Sequence, residues 1–344
     1  MGVAAAVVNA LRGWLGARAL GRVLLAAVGL TLVAYLVRGA GADRVAHVLW
    51  QAGPWLPAIV TLELAQILSD VLALRSLLPK ASVEVPASTW LRSSAVAYAM
   101  MILLPAGRAA GEVARATLIA KHVGAPGAAR ASTQLQAAYL VANAAASAAA
   151  LAGVASGAGF RTALAALLAV NTTIMTLGAA ALLAALSDAR VGRWLDAMRR
   201  RLTRDATPVI HVDAGPRRAL REWAIATCCA GRCAQLAQYG IILAAIGGAP
   251  TLHGALTAHG IHLVGATLGD MLPNQLGVVD GAYRAFAPML GLSHAPERAL
   301  SIAFVAHAAQ LTLAGGCVVA AALFGHAKAP LGPAPAGAAP ETTG

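Results

Sequence analysis

Two acidic residues set in apolar sequence are the groups in this chain most able to do chemistry, and a proline stands seven positions before each. Leu104-Pro105 leads to Glu112 and Arg115, and Leu272-Pro273 leads to Asp280 and Arg284, so one short pattern occurs in each half of the chain. A glycine follows each proline at a nearly equal distance, at Gly124 and Gly291. Arg108, Glu112 and Arg115 are four and three apart, so they can share one helix face, and Asp280 and Arg284 are likewise four apart. A carboxylate deep in a bilayer needs a cationic partner or a proton. The arginines could grip a phosphate in bidentate fashion, while the acids pair with them, gate them or relay protons. One such group could be an intrahelical ion pair at a membrane surface, where exposed pairs contribute little. Two copies with the same spacing favour a functional site.

The surrounding composition is that of a membrane protein. Of 344 residues 59% are hydrophobic and 12% charged, with mean hydropathy +0.70. A soluble domain carries about 25% charged residues. Bulk comes from Ala, Gly, Leu and Val, and small residues such as Gly153 and Gly157 let helices approach closely. The net charge of +12 would suggest nucleic acid in a soluble chain. Here nine arginines lie within 187–221, which reads as a cytoplasmic loop attracted to anionic headgroups, so no nucleic-acid partner is expected. The four cysteines fall in apolar stretches without metal-site spacing and read as small buried residues.

Apolar runs at 20–37, 53–79, 131–156, 161–186, 222–247 and 299–325 are long enough, or nearly so, to span ~30 Å of hydrocarbon. A retained first helix fits such a chain better than a cleaved signal peptide. Two regions do not read as simple spans. Leu91 to Leu104 would make a helix of only about 21 Å before Pro105. Residues 252–290 reach Pro273 and then turn through Asn274-Gln275-Leu276-Gly277. Proline breaks a helix and glycine permits the turn, so Pro105, Gly107, Pro273 and Gly277 are the expected hinges. Both regions read as re-entrant hairpins, tolerated where buried in protein or lining a wet cavity. Re-entry also keeps the basic residues on one side, as the positive-inside rule requires.

The expected fold is therefore an all-α polytopic membrane protein with about six spanning helices plus two re-entrant hairpins. The hairpins enter from opposite faces and make an inverted repeat suited to alternating access. One integral domain over 1–327 divides into halves at 20–186 and 221–327, joined by the basic loop 187–220. Both termini are expected on the cytoplasmic side of a bacterial inner membrane. Within 187–205, Val191, Trp194, Leu195, Met198 and Leu202 share one face, as in an amphipathic interfacial helix. The tail at 328–344, rich in Pro, Ala and Gly, reads as disordered.

Other polar residues support several readings. Asn274 and Gln275 could bond a headgroup or satisfy the turn. His259 and His262 share a face with Asp270 further on, but hydrogen-bonded bundle histidines are the simpler reading, and no metal is expected. Asn143, Ser147, Asn171, Thr172, Gln235 and Gln238 could line the same cavity or bond between helices. There is no P-loop, no His-Glu-x-x-His and no Gly-x-Ser-x-Gly, and no cofactor is expected.

At the two motifs, Leu104-Pro-Ala-Gly-Arg-Ala-Ala-Gly-Glu112-Val-Ala-Arg115 and Leu272-Pro-Asn-Gln-Leu-Gly-Val-Val-Asp280-Gly-Ala-Tyr283, the chain resembles the lysylphosphatidylglycerol synthase transmembrane-region (flippase-like) family. The resemblance covers nearly the whole length. The family's first element commonly carries Gly-Glu, as here, and its second commonly carries Glu where this chain has Asp280. The Gly-Ala-Tyr after Asp280 looks like a branch associated with hopanoid synthesis. The resemblance implies movement of lipids between leaflets and no catalytic residue. It also implies that the aminoacylating domain of bifunctional members is absent. The expected substrate-binding set is Arg108, Glu112, Arg115, Asn274, Gln275, Asp280 and Arg284, acting on an anionic phospholipid or lipid-carrier headgroup. The alternatives are a membrane-embedded transferase using Glu112 or Asp280 as general base, or a partner subunit of a separate lipid-modifying enzyme.

Overall fold

The computed structural model describes residues 19–78, 85–105, 107–187 and 218–325, and all the regular structure in them is helical. The expected interfacial helix at 187–205, apart from Ser187 itself, and the tail at 328–344 lie outside the described residues. In chain order the helices are α1 (Ala19–Ala40), α2 (Ala42–Ala52), α3 (Leu56–Leu77), α4 (Ala87–Leu103), α5 (Gly107–Val123) and α6 (Ala125–Ala158). They continue with α7 (Ala163–Ser187), α8 (Arg218–Ala245), α9 (Leu252–Gly269), α10 (Val278–Ala285) and α11 (Pro296–Gly325).

Each of the six apolar runs lies within or largely overlaps a helix. Among the described residues four segments qualify by length and hydropathy to cross a membrane: Ala42–Leu77, Gly127–Ala158, Ala163–Leu186 and Pro296–Leu323. The first joins α2 to α3 through a single 3-10 turn at Gly53–Trp55, so helix also covers 42–52, between two of the apolar runs. Helix α8 is long enough at 28 residues, but Arg221, Glu222 and Arg232 dilute its hydropathy. Many large apolar side chains point outward, among them Leu64, Leu68 and Leu72 on α3, Val170, Ile174 and Leu177 on α7, and Val318 and Leu323 on α11. Such a surface suits lipid and not water.

The two proline motifs build the parts that are not simple spans. Helix α4 ends where Leu104 turns extended ahead of Pro105, a conformation that a following proline favours. Helix α5 starts at Gly107 and returns along α4, so the two form a helical hairpin. Each arm has 17 residues, about 25 Å, short of ~30 Å of hydrocarbon. The arms are held close by Gly107 and Gly111. A Cβ at Gly111 would lie 2.5 Å from the Ala97 carbonyl oxygen, and one at Gly107 would strike the carbonyls of Met100 and Met101.

The second hairpin is lopsided. Helix α9 runs 18 residues, capped by the Thr251 hydroxyl, which accepts from Gly254 N–H at 3.0 Å. Its return arm, α10, has only eight residues and follows a 3-10 turn at Pro273–Gln275.

Apolar packing falls into two main clusters at different levels of the bundle. One joins Ile59, Val154, Leu168, Ile242, Ile261 and Ile302; the other joins Leu74, Trp90, Ile119, Leu135 and Ala224. Helices α3, α6 and α8 contribute to both and carry Glu63, Ser69, Asn143, Ser147, Gln235 and Gln238 between them. Alanine at Gly111 is expected to force the arms of the first hairpin apart at a cost of about 1–3 kcal/mol, the usual range for overpacking. The readout is the thermal midpoint of the protein in detergent, and an unchanged midpoint would mean that the arms do not depend on this contact.

Candidate functional site

Between the two clusters lies a cavity of about 290 Å³. The tips of both hairpins reach it: Met101, Ile102, Gly107 and Arg108 from the first, and Leu272, Asn274 and Gln275 from the second. Helix α3 contributes Glu63 and Gln66, helix α6 Gln136 and Asn143, and helix α8 Arg232 and Gln235. The two motifs, in opposite halves of the sequence, thus converge on one polar space.

In and behind the cavity wall the ionisable groups Glu63, Asp70, Glu112, Arg108, Arg115 and Arg232 form a network of three acids and three arginines. Glu63 is 4% exposed; its Oε1 accepts from the Tyr98 hydroxyl and its Oε2 from Gln238 Nε2, both at 2.9 Å. Gln238 Nε2 also reaches the Ile59 carbonyl at 3.2 Å, which ties α8 to α3. Asp70, two helical turns after Glu63 and so on the same face of α3, lies near Tyr139 and in the fields of Arg115, Arg232 and Arg108. Glu112 sits 3.4 Å from Arg115, which is 5% exposed. Arg232 Nη1 donates to Gln235 Oε1 at 2.6 Å, and the same oxygen lies 3.2 Å from His259 Nε2. Arg108 has no carboxylate within ion-pair distance among the described residues, although Glu112 and Asp70 feel its charge.

The second acid has a different local role. Asp280 is fully buried, and its Oδ2 accepts from Gly277 N–H at 2.7 Å, which caps α10. The same oxygen faces His307 Nε2 at 3.5 Å, while Asn274 Nδ2 lies 3.0 Å from His307 Nδ1. With the Asn274 amide donating to Nδ1, the ring proton sits on Nε2, which lies near Asp280 without forming a hydrogen bond to it. Arg284 is exposed and does not pair with Asp280. The reason is where the helices begin. Helix α5 starts just after its proline, at Gly107, and puts Glu112 inside the helix. The extra 3-10 turn delays the start of α10 to Val278, which puts Asp280 in its first turn.

The turn itself is strained. Asn274 and Gln275 have φ of +46° and +56°, left-handed values that non-glycine residues seldom adopt. Gly277, at φ +83°, lies so close to α1 that a Cβ would be 2.9 Å from the Gly29 carbonyl oxygen. The Asn274–His307 hydrogen bond and the Asp280 cap on Gly277 hold this turn in place.

Of the residues singled out in the sequence, Gly107, Arg108, Asn274 and Gln275 line the cavity; Glu112 and Arg115 sit behind it, Asp280 supports the turn, and Arg284 lies elsewhere. Asn143, Asn171 and Gln235 reach the cavity too, whereas Ser147 accepts from Asn171 Nδ2 at 2.6 Å and Thr172 bonds back to the Leu168 carbonyl. Gly153 meets the Leu256 side chain, and Gly157 the His253 ring, where α6 crosses α9. Tyr239 packs against His259, His262 and Tyr283. Among the described residues no group of three His, Cys, Asp or Glu side chains is placed to hold a metal. Glu63, Asp70, Arg232 and His307 were not foreseen, yet each had a signal: an ionisable residue inside a long apolar run.

The lysylphosphatidylglycerol synthase TM region family model matches residues 19–316, and the chain belongs to this family. Membership and the apolar helices together make it a membrane protein, and the family places its function with membrane lipids. No curated protein and no solved structure matches the chain.

Asp280→Ala is expected to destabilise the protein by about 1–3 kcal/mol through loss of the cap and of a buried acceptor. In a double-mutant cycle with His307→Ala, thermal melts should give a coupling of about 0.5–3 kcal/mol. Strictly additive effects would mean that the two residues do not act together.

Proposed function

We propose that the protein is a lipid translocase that carries an anionic phospholipid or lipid-carrier headgroup between leaflets through the cavity at the hairpin tips, while the acyl chains stay in the bilayer. The observation that carries this reading is the pair of arginines, Arg108 and Arg232, on a polar cavity inside an otherwise lipid-facing bundle. Guanidinium groups match phosphate geometry, and they hold it more strongly where water is scarce. Glu63 and Asp70 balance this charge while the cavity holds no headgroup; Arg115 and Glu112 fix the first hairpin behind it. The second hairpin contributes Asn274 and Gln275. Arg284 has no part in this scheme.

Movement would come from the hairpins. Arms too short to cross the bilayer, ending in turns made of proline, glycine and two left-handed residues, suit a gate that opens to one side at a time. We place the chain in a bacterial inner membrane with both termini cytoplasmic and the two hairpins inserted from opposite faces, in keeping with the charge bias of its loops.

Acyl-labelled anionic phospholipid in proteoliposomes should reach the opposite leaflet faster than in protein-free vesicles. Arg108→Gln and Arg232→Gln should each slow this about tenfold or more, the loss of one charge-assisted contact. Wild-type protein no faster than bare vesicles, across a panel of anionic lipids, would sink the proposal. Recovery of lipids with altered mass would point instead to chemistry on the headgroup.

A further inference from the structure

Of the described residues that line the cavity, only Thr267 and Asp270 are exposed. They stand three apart, about one helical turn, where α9 ends, so they mark a single place in the wall. Leu268 and Met271, beside them, do not line the cavity and are 66% and 63% exposed.

Helix α7 stands across from this place. The two helices run in the same direction: a Cβ at Gly260 would lie 3.2 Å from the Leu168 side chain, and Thr267 Oγ1 donates to Asn171 Oδ1 at 3.0 Å. Past Asn171, Met175 lines the cavity, while Ile174 and Leu177 are exposed on the outside of α7. Among the described residues no hydrogen bond or ion pair joins α7 to the second hairpin beyond the Thr267–Asn171 bond. Helix α9 stops at Gly269, whereas α7 runs on to Ser187.

Depth decides what this gap opens onto. Asn171 and Met175 lie near the middle of α7, which is long and apolar enough to cross the membrane, so the end of α9 beside them lies at the level of the hydrocarbon. Leu268 and Met271 suit that surface. Asp270 does not: a carboxylate at the bilayer centre costs about 2.5–3.5 kcal/mol. Among the described residues it has neither a hydrogen bond nor an ion pair. Its position is tolerable where the wet cavity reaches it. Cavity wall and lipid-facing side chains thus alternate from Thr267 to Met271, as at a mouth between the two media.

Building on the translocase reading, we infer that the cavity opens sideways into the bilayer between α7 and the end of α9, and that this mouth binds the acyl chains of the transported lipid. The headgroup passes Thr267 and Asp270 to reach Arg108 and Arg232. The chains lie outside, against Ile174, Leu177, Leu268 and Met271. Drawing them into the wet cavity would cost about 0.8 kcal/mol per CH₂, so a mouth that leaves them in hydrocarbon lowers the barrier to headgroup entry.

The test places the full chain in vesicles with phosphatidylglycerol that carries a photoactivatable diazirine midway along one acyl chain. Adducts are mapped by mass spectrometry, and movement of acyl-labelled phosphatidylglycerol is followed in parallel for wild type, Met175→Trp and Val318→Trp. Wild-type adducts at Ile174, Leu177, Leu268 and Met271 should exceed those at Leu64, Leu72, Val318 and Leu323 by about tenfold, as for a site favoured by about 1.4 kcal/mol over the general lipid surface. Met175→Trp, which fills the mouth, should slow movement about tenfold and remove the excess, while Val318→Trp on the far lipid face should change neither. Wild-type adducts decide the matter even if Met175→Trp does not fold. Even labelling around the bundle, with movement intact, would overturn the mouth and leave the translocase reading standing. Excess labelling at the mouth without movement would overturn translocation and keep the chain site. Neither excess nor movement would overturn both.

Discussion

The structure depends on charge balance where water is scarce. Glu63, Asp70 and Glu112 share the bundle interior with Arg108, Arg115 and Arg232, three acids against three arginines drawn from α3, α5 and α8. Taking one such charge out of water costs several kcal/mol, and only close partners with further hydrogen bonds offset it. Tyr98, Gln235 and Gln238 supply such bonds. Removing a single member would leave its partner uncompensated, so the helices that carry the six groups must stay in register. Positions between the two apolar clusters are thereby assigned to polar residues, and the cavity opens there.

Among the described residues Arg115 pairs with Glu112, while Arg108 and Arg232 have no carboxylate within ion-pair distance. The proposed binding of a headgroup phosphate rests on these two guanidinium groups, which line the cavity without a carboxylate in ion-pair contact. The same constraint explains the outward surface. The polar groups are gathered inside, α7 carries no charge and buries only 17% of its apolar window within the protein, and the bilayer covers the remainder.

The two proline motifs show how equal spacing can yield unequal roles. Glu112 and Asp280 stand at the same distance from their prolines, yet one is an ion-paired mid-helix acid and the other a helix cap backed by a histidine. The difference is the 3-10 turn at Pro273–Gln275. It moves the start of α10, and with it the relation of every later residue to the helix end. Left-handed Asn274 and Gln275 make that turn, and the Asn274–His307 hydrogen bond and the Asp280 cap oppose their strain. The short return arm leaves the second tip less braced by its own hairpin than the first, whose arms lie backbone to backbone at Gly111.

Local composition determined the membrane character, the positions of the long helices and the breaks at Pro105 and Pro273, since hydropathy, proline and glycine act over a few neighbouring residues. It also marked Arg108, Asn274 and Gln275 through their place beside those breaks. What pairs with what was decided only by tertiary structure. Glu63 and Asp70 look alike in an apolar run until α8 and α6 bring Gln238 and Tyr139 to them, and Arg232 looks like a lone charge until α3 stands opposite. His307 lies far downstream of Asp280, the acid it faces, on a helix whose neighbours are set by packing along its whole length. Spacing in sequence fixes which face of a helix a residue occupies; which other face it meets depends on contacts between elements far apart in the chain.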